Sequence, residues 1–270
     1  MRTSIAFSVL SLFTVAACGG GGGGTSGAAT VYNALGDTTI TTPTTVQVLS
    51  LDFGTRTTQA SSGSLDHANQ TFMGNGMAIG IDTTGITNGL DSVAGIASGS
   101  VSAAGDIKLI AQQTASADLP TSGSFTYTGS SLVNINDAAN AYDATMVATI
   151  SADFSTVGAD AQTVDVDLTM PTNVTQTRTN DPNNTTFSGS MTSTVTITDL
   201  EINGAGFAAG AGTSVSAVGW DGGSSNLILG NQTIDATGVF AGDNADEVAG
   251  VVGASGQDGG TLNVIFSGGQ

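Results

Sequence analysis

The chain has 270 residues, with 22 acidic against four basic side chains and a net charge of −18. That balance leaves no cation stripe to neutralise phosphates, which excludes nucleic acid as a partner, and it sets the folded part against anionic lipid. Glycine is abundant (39 residues) while proline (four) and aromatic residues (5%) are scarce, which predicts short strands and many turns rather than long helices.

Arg2 precedes an apolar run, Ile5 to Ala17, too short to span a bilayer and typical of a signal peptide. The run ends in "VAAC". Small residues before Cys18 resemble a bacterial lipobox, where the signal is cut before the cysteine and the thiol takes a diacylglyceryl group. Cys18 is the single cysteine, so no intrachain disulfide forms; an ordinary signal followed by an incidental free thiol is the other reading. Each buried CH₂ of an acyl anchor contributes about 0.8 kcal/mol, so several chains hold firmly. The glycine tract from Gly19 opens a flexible tether, about 16–19 Å root-mean-square for ten such residues. Residue 19 is not the aspartate that commonly retains lipoproteins at the inner membrane, so the expected location is the outer membrane, at the cell surface.

Residues 30–118 are irregular. "TTVQVLSLDF" (44–53) reads as a strand whose apolar face switches between Val48 and Leu49, as a bulge would allow. "GMAIGID" (76–82) and "GDIKLIAQQ" (105–113) are further strands; "IASGSVSAAG" (96–105) is strand or loop. "AQQTASADLPTSG" marks a boundary.

Beyond residue 120 the period of two is strong. Val164, Val166, Leu168 and Met170 share one face of a strand; Met146, Ala148, Ile150, Ala152 and Phe154 share another. Thr186 to Thr198 places Phe187, Met191, Val195 and Ile197 opposite a row of Ser and Thr, and Leu262, Val264 and Phe266 align near the end. Such alternation predicts antiparallel strands with one wet side. Weaker strand candidates lie at 122–133, 214–220 and 225–240. Turn signals at "NDPNN", "DGGSS" and "GQDGG" suggest a meander, and a meander of this length closes to remove its edges. The expected fold is all-β: an antiparallel eight-stranded barrel with a smaller N-terminal β region. The expected division is a signal peptide at 1–17, a tether at 18–29, the N-terminal β region at 30–118 and the barrel at 119–270.

"GVFAGDNADEVAGVVG", from Gly238 to Gly253, holds a dense acidic cluster between two apolar flanks. "ATGVF" ends one strand and "VAGVV" begins the next, so "GDNADE" reverses the chain. Gly242 supplies the positive φ, and Asp243 with Asp246 forms a capping pair, with Glu247 a further acid in the first turn; one capped helical turn is expected.

The same stretch resembles the C-terminal signature of the transferrin-binding-protein-B-like β-barrel family, G-x-F-x-G-x-x-A-x-E-x-x-G, with Gly238, Phe240, Gly242, Ala245, Glu247 and Gly250 at its places. "SGSFTYTG" (122–129), "ATISADFST" (148–156) and "INGAGFAAG" (202–210) resemble further family strands and turns in order. The resemblance covers about 120–270. It implies a single-lobed surface lipoprotein, a barrel beside a smaller handle sheet, that binds an iron- or haem-carrying protein. An outer-membrane exporter or a TonB-dependent receptor is the implied membrane partner. A surface-coat lipoprotein without a specific ligand is the alternative.

Catalytic chemistry has little basis, and no enzyme activity, cofactor or metal is expected. His67 is the single histidine, in the polar stretch "SLDHANQ", and reads as a surface residue; no G-x-S-x-G elbow accompanies it. Tyr32, Tyr127 and Tyr142 could ligate haem, though barrel packing accounts for Tyr127. "GNGMAIG" and "GAGFAAG" open no helix after a parallel strand, which argues against dinucleotide binding. "DNADEV" lacks the glycine and terminal glutamate of an EF-hand loop.

Overall fold

The computed structural model describes residues 30–74, 77–80, 87, 89–96, 107–136, 141–156, 162–170, 174–178, 186–189, 193–220, 225–227, 233–256 and 259–270. Two antiparallel sheets account for nearly all of its regular structure. The first contains β1 (Thr44–Asp52), β2 (Thr57–Asp66), β3 (Thr71–Gly74), β4 (Met77–Gly80), β5 (Val93–Ile96) and β6 (Ile107–Ala111), in spatial order β4-β3-β2-β1-β6-β5.

The second sheet contains β7 (Ser124–Asn136), β8 (Ala141–Asp153), β9 (Thr163–Thr169), β10 (Val174–Arg178), β11 (Thr186–Gly189), β12 (Thr194–Asn203), β13 (Gly206–Trp220), β14 (Ser225–Leu227), β15 (Thr233–Ala241), β16 (Glu247–Ser255) and β17 (Thr261–Gly269). Its path runs β8-β7-β17-β16-β15-β13-β12-β9, and β9 pairs back onto β8. Eight strands thus close a barrel. The β10–β11 hairpin extends from the start of β8, and β14 from the end of β13.

Alternation decides which side chains enter the barrel. Met146, Ala148, Ile150 and Ala152 on β8 and Val164, Val166 and Leu168 on β9 are buried, while Thr149 and Asp167 between them are exposed. On β12 the alternation breaks: Val195, Ile197 and Leu200 all point inward. A register shift between Thr198 and Leu200 makes this possible; Asp199 takes φ 59 there, and its N–H donates to the Asp165 carboxylate at 2.8 Å. The inward residues form one continuous cluster, in keeping with an eight-stranded interior just wide enough to be filled by side chains.

Four expectations are corrected. The strand of Leu262, Val264 and Phe266, β17, has no wet side: these three face the barrel interior, Ile265 is buried on the outside, and the neighbouring β16 is buried likewise. The first sheet lies against the outer wall there, where Leu49, Leu51, Val93 and Leu109 meet Val239, Ala249, Val251 and Ile265. Each fully buried aliphatic side chain in this layer contributes about 1.5–3 kcal/mol.

The bulge expected in β1 is absent. Its register with β2 is unbroken, and Val48 and Leu49 are both buried because the strand is covered on both faces. Val46 and Val48 face a second small core with Leu35, Leu65, Phe72, Ala94 and Ile110. The single strand expected from Thr186 to Thr198 is two strands, β11 and β12, with different partners.

His67 is buried, at 1% exposure, rather than on the surface. The chain before β1 folds back over this end of the sheet: Leu35 plugs the small core, its N–H donates to the Asp91 carbonyl at 2.7 Å, and Gln70 reaches its carbonyl. Beneath it, Asn33 Nδ2 donates to Thr44 Oγ1 at 3.2 Å, and that hydroxyl lies 2.6 Å from His67 Nε2. A polar sequence is therefore covered because its partners come from the preceding segment.

Candidate functional site

The acidic turn between β15 and β16 joins the two sheets. Gly242 opens it at φ 74, where an added Cβ would collide with the Asp246 carboxylate. Asp243–Ala245 makes one 3₁₀ turn, with Asn244 and Ala245 also at positive φ. The expected aspartate caps do not form. Gly242 holds the N-cap position without a side-chain cap bond, Asp243 lies inside the turn, and Asp246 follows it, donating its N–H to the Asp243 carbonyl at 3.1 Å. So short and left-handed a turn leaves no ladder of helical N–H groups for a carboxylate to cap.

The other signature residues pack around this turn. Gly238 and Gly250 face each other across β15 and β16. The Phe207 ring fills the space a side chain at Gly238 would take, and the Phe266 ring does the same at Gly250. These two rings stack at 6.2 Å and 21°. Phe240 lies fully buried among Phe154, Phe207 and Tyr127, with ring centroids at 4.8, 5.6 and 6.3 Å. The buried Ala245 offers its carbonyl to the Tyr127 hydroxyl at 2.8 Å and to Gln270 Nε2 at 3.0 Å. Burial pushes the Tyr127 phenol up to about 12, so this donor stays protonated.

Glu247 is 9% exposed, and its two carboxylate oxygens accept the N–H groups of Asp91 at 2.7 Å and Ser92 at 2.9 Å. Burial holds its carboxyl above the usual glutamate range against the pull of those two bonds; neighbouring Asp246 and Asp91 add to the rise. Burial likewise raises Asp246, with Asp243 and Asp91 contributing.

Beside this turn, at one end of the barrel, lies a cleft of about 680 Å³. Leu119 and Phe125, which pack on the barrel core, lie in its lining, and Asp118, Asp243, Asp246 and Gln270 are among its polar residues. Asp118 accepts the Tyr32 hydroxyl at 3.0 Å, and Tyr32 in turn accepts the Ala115 N–H at 2.6 Å. Tyr32 and Tyr127 are thus engaged in hydrogen bonds; the Tyr142 side chain lies outside what is described. Among the described residues no group of three or more His, Cys, Asp or Glu side chains is placed to hold a metal ion. Carboxylates beside apolar side chains attract a cation-bearing apolar group.

The sequence brought Gly238, Phe240, Gly242, Ala245, Glu247 and Gly250 to attention together, and the fold gathers them around one turn. Asp118 and Asp91 were missed, and Tyr32 was raised only as a haem ligand, not as a partner of Asp118. They come from segments 120 or more residues upstream of the turn, and nothing in their local sequence sets them apart. Cys18 lies outside the described residues.

No protein-family model and no curated protein sequence matches the chain. Solved structures do. Intact Ap-TbpB, with its N and C lobes, matches over 83% of this chain and 46% of its own, at 15% identity and a TM-score of 0.51. Two mutants of the vaccine antigen transferrin binding protein B from Haemophilus parasuis Hp5 match at 14% identity, over 83% of this chain and 45% and 44% of their own, with TM-scores of 0.54 and 0.52. The chain therefore spans less than half the length of these three structures. Barrel and flanking sheet together share the fold of the matched part of transferrin binding protein B.

Proposed function

We propose that the chain is a surface-displayed lipoprotein of the bacterial outer membrane, a binding module for a soluble protein that carries iron or haem. The shared fold of barrel and flanking sheet is the observation that supports this reading. In it, residues 1–17 are a signal peptide, Cys18 carries the lipid, 18–29 are the tether, 30–118 supply the N-terminal β region and 119–270 the barrel. The described barrel interior is packed with side chains, so a ligand docks on the outside or at an end. An outer-membrane exporter brings the protein to the surface, or a TonB-dependent receptor works beside it.

The test has two arms. Labelled palmitate should enter the wild-type chain and not a Cys18→Ser variant; equal labelling removes the anchor. The purified chain, used as bait in iron-starved culture fluid and host serum, should retain an iron- or haem-bearing protein that a charge-matched acidic control does not. Retention equal to the control sinks the binding reading.

One observation favours the surface-coat alternative. The row Thr128, Thr149, Asp167, Thr196 and Ser216 crosses five strands of the outer wall with short polar side chains alone. Such a row lacks the Trp, Tyr and Arg anchors that dominate binding energies. In that reading the bait returns nothing above the control, and deletion leaves growth under iron limitation unchanged.

A further inference from the structure

The buried Glu247 carboxylate closes a ring of hydrogen bonds between the two sheets. It accepts from Asp91 and Ser92 just before β5; the Ser92 carbonyl accepts the Gln112 N–H at 2.8 Å; the Gln112 carbonyl accepts the Gly242 N–H at 3.1 Å. Gly242 opens the turn that Glu247 ends, so the ring returns to its start. The same segment is held to the N-terminal strap by the Leu35–Asp91 bond. The Gln112 side chain also grips that strap, accepting from the Asn33 N–H and donating to the Val31 carbonyl, each at 2.7 Å.

The charges acting on this ring are acidic. Asp243 and Asp91 act on Asp246, and Asp246 and Asp91 act on Glu247. Asp118 faces the turn across the cleft, tied to the Tyr32 hydroxyl, and the Tyr127 phenol reaches the Ala245 carbonyl from β7. At neutral pH, carboxylates therefore stand on both sides of a seam that the ring must hold shut.

We propose that this seam is a proton-sensitive latch: proton uptake by Asp246 and Glu247 tightens the hold of the 91–92 segment on the barrel, and proton loss loosens it. Opening the ring exposes Glu247 to water and moves Asp246 away from Asp91. Both groups then return towards the ordinary carboxylate range. The closed form thus binds protons more readily than the open form, and closure strengthens as pH falls from neutral towards that range. A proton on Glu247 sacrifices part of one N–H bond, and relief of burial and of the Asp246–Asp91–Glu247 repulsion outweighs it. The latch needs no ligand, so it stands or falls apart from the proposed function.

Amide hydrogen exchange on the full chain tests it, each rate corrected for the intrinsic rate at its pH. The Asp91 and Ser92 amides should be protected several-fold more at pH 5 than at pH 7.5, because the closed form holds its protons more tightly than the open one. Asp246→Asn should raise their protection at pH 7.5 and shrink the ratio. Asp167→Asn, on the exposed outer wall, should leave the ratio as in wild type, and the Val252 amide inside the barrel should change less than the pair. A wild-type ratio of one or below overturns the latch. So does a full ratio in Asp246→Asn, or an equal loss in Asp167→Asn, which would make it an effect of net charge alone.

Discussion

Gly250→Ala isolates the fit between the signature glycines and the barrel aromatics. Gly250 is paired within β16, and its φ needs no glycine, so on backbone grounds alanine should stabilise by about 0.4–1 kcal/mol through the unfolded chain. Packing opposes this. The new Cβ would stand 2.8 and 3.0 Å from Phe266 Cε1 and Cε2, and closer still to Cζ. Phe266 is fully buried and stacks on Phe207, which in turn fills the space at Gly238, so the ring cannot retreat alone. Overpacking of this kind costs about 1–3 kcal/mol, which leaves a net loss of up to about 2.5 kcal/mol. Phe266→Leu removes the colliding ring edge at its own cavity cost of about 1–2 kcal/mol. In the double variant the two losses should not add. Urea unfolding of the four proteins, followed by tryptophan fluorescence and circular dichroism, should return a coupling of about 1 kcal/mol or more. Gly250→Ala at least as stable as wild type, or losses that add within error, would refute the account.

Three other outcomes follow from the geometry. Tyr127→Phe should cost about 0.5–1.5 kcal/mol in urea, because the Ala245 carbonyl keeps Gln270 as a donor. With its phenol raised from 10.0 to about 12, wild type should hold this stability below pH 10 and lose it as pH climbs towards 12; the variant should lack that alkaline limb. Leu35→Ala, which empties a site 1% exposed, should cost about 2–4 kcal/mol and make residues 31–43 the first site nicked by protease. Hydrogen bonds from Thr39, Thr55, Asn69 and Ser155 hold Asp37, Asp52, Asp66 and Asp153 below the ordinary aspartate value of 3.8, so their contribution is present above that value and lost as pH falls through the lowered ones. Carboxyl carbon titration by NMR should find their midpoints below 3.8.

The barrel was legible wherever a strand has one wet side. "TVDVDLTM" alternates because β9 faces packed core on one side and water on the other. Strands covered twice are harder to read. "EVAGVVGAS" carries no alternation, and its unbroken apolar character was itself the mark of burial on both faces; what covers it comes from residues 49–111 and could not be inferred locally. In "TTVQVLSLDF" the adjacent Val48 and Leu49 looked like a defect in a half-wet strand, yet each serves a different core. Proximity along the chain misled at Asp243 and Asp246, whose spacing fits a capped helix while the positive-φ residues between them forbid one. His67 was misread for a related reason: a polar neighbourhood implies water only if no other segment lies on top.

The layer between the sheets bears on the order in which the protein can be built. Leu49, Leu51, Val93 and Leu109 leave a ribosome or an export channel long before Val239, Val251 and Ile265, against which they rest. Until those last strands arrive, a greasy plate stands uncovered, and contacts so distant along the chain form slowly. A truncation that removes the C-terminal hairpin would thus strip the cover from the first-made half of the molecule, and clumping rather than a trimmed barrel is the fate to expect of it.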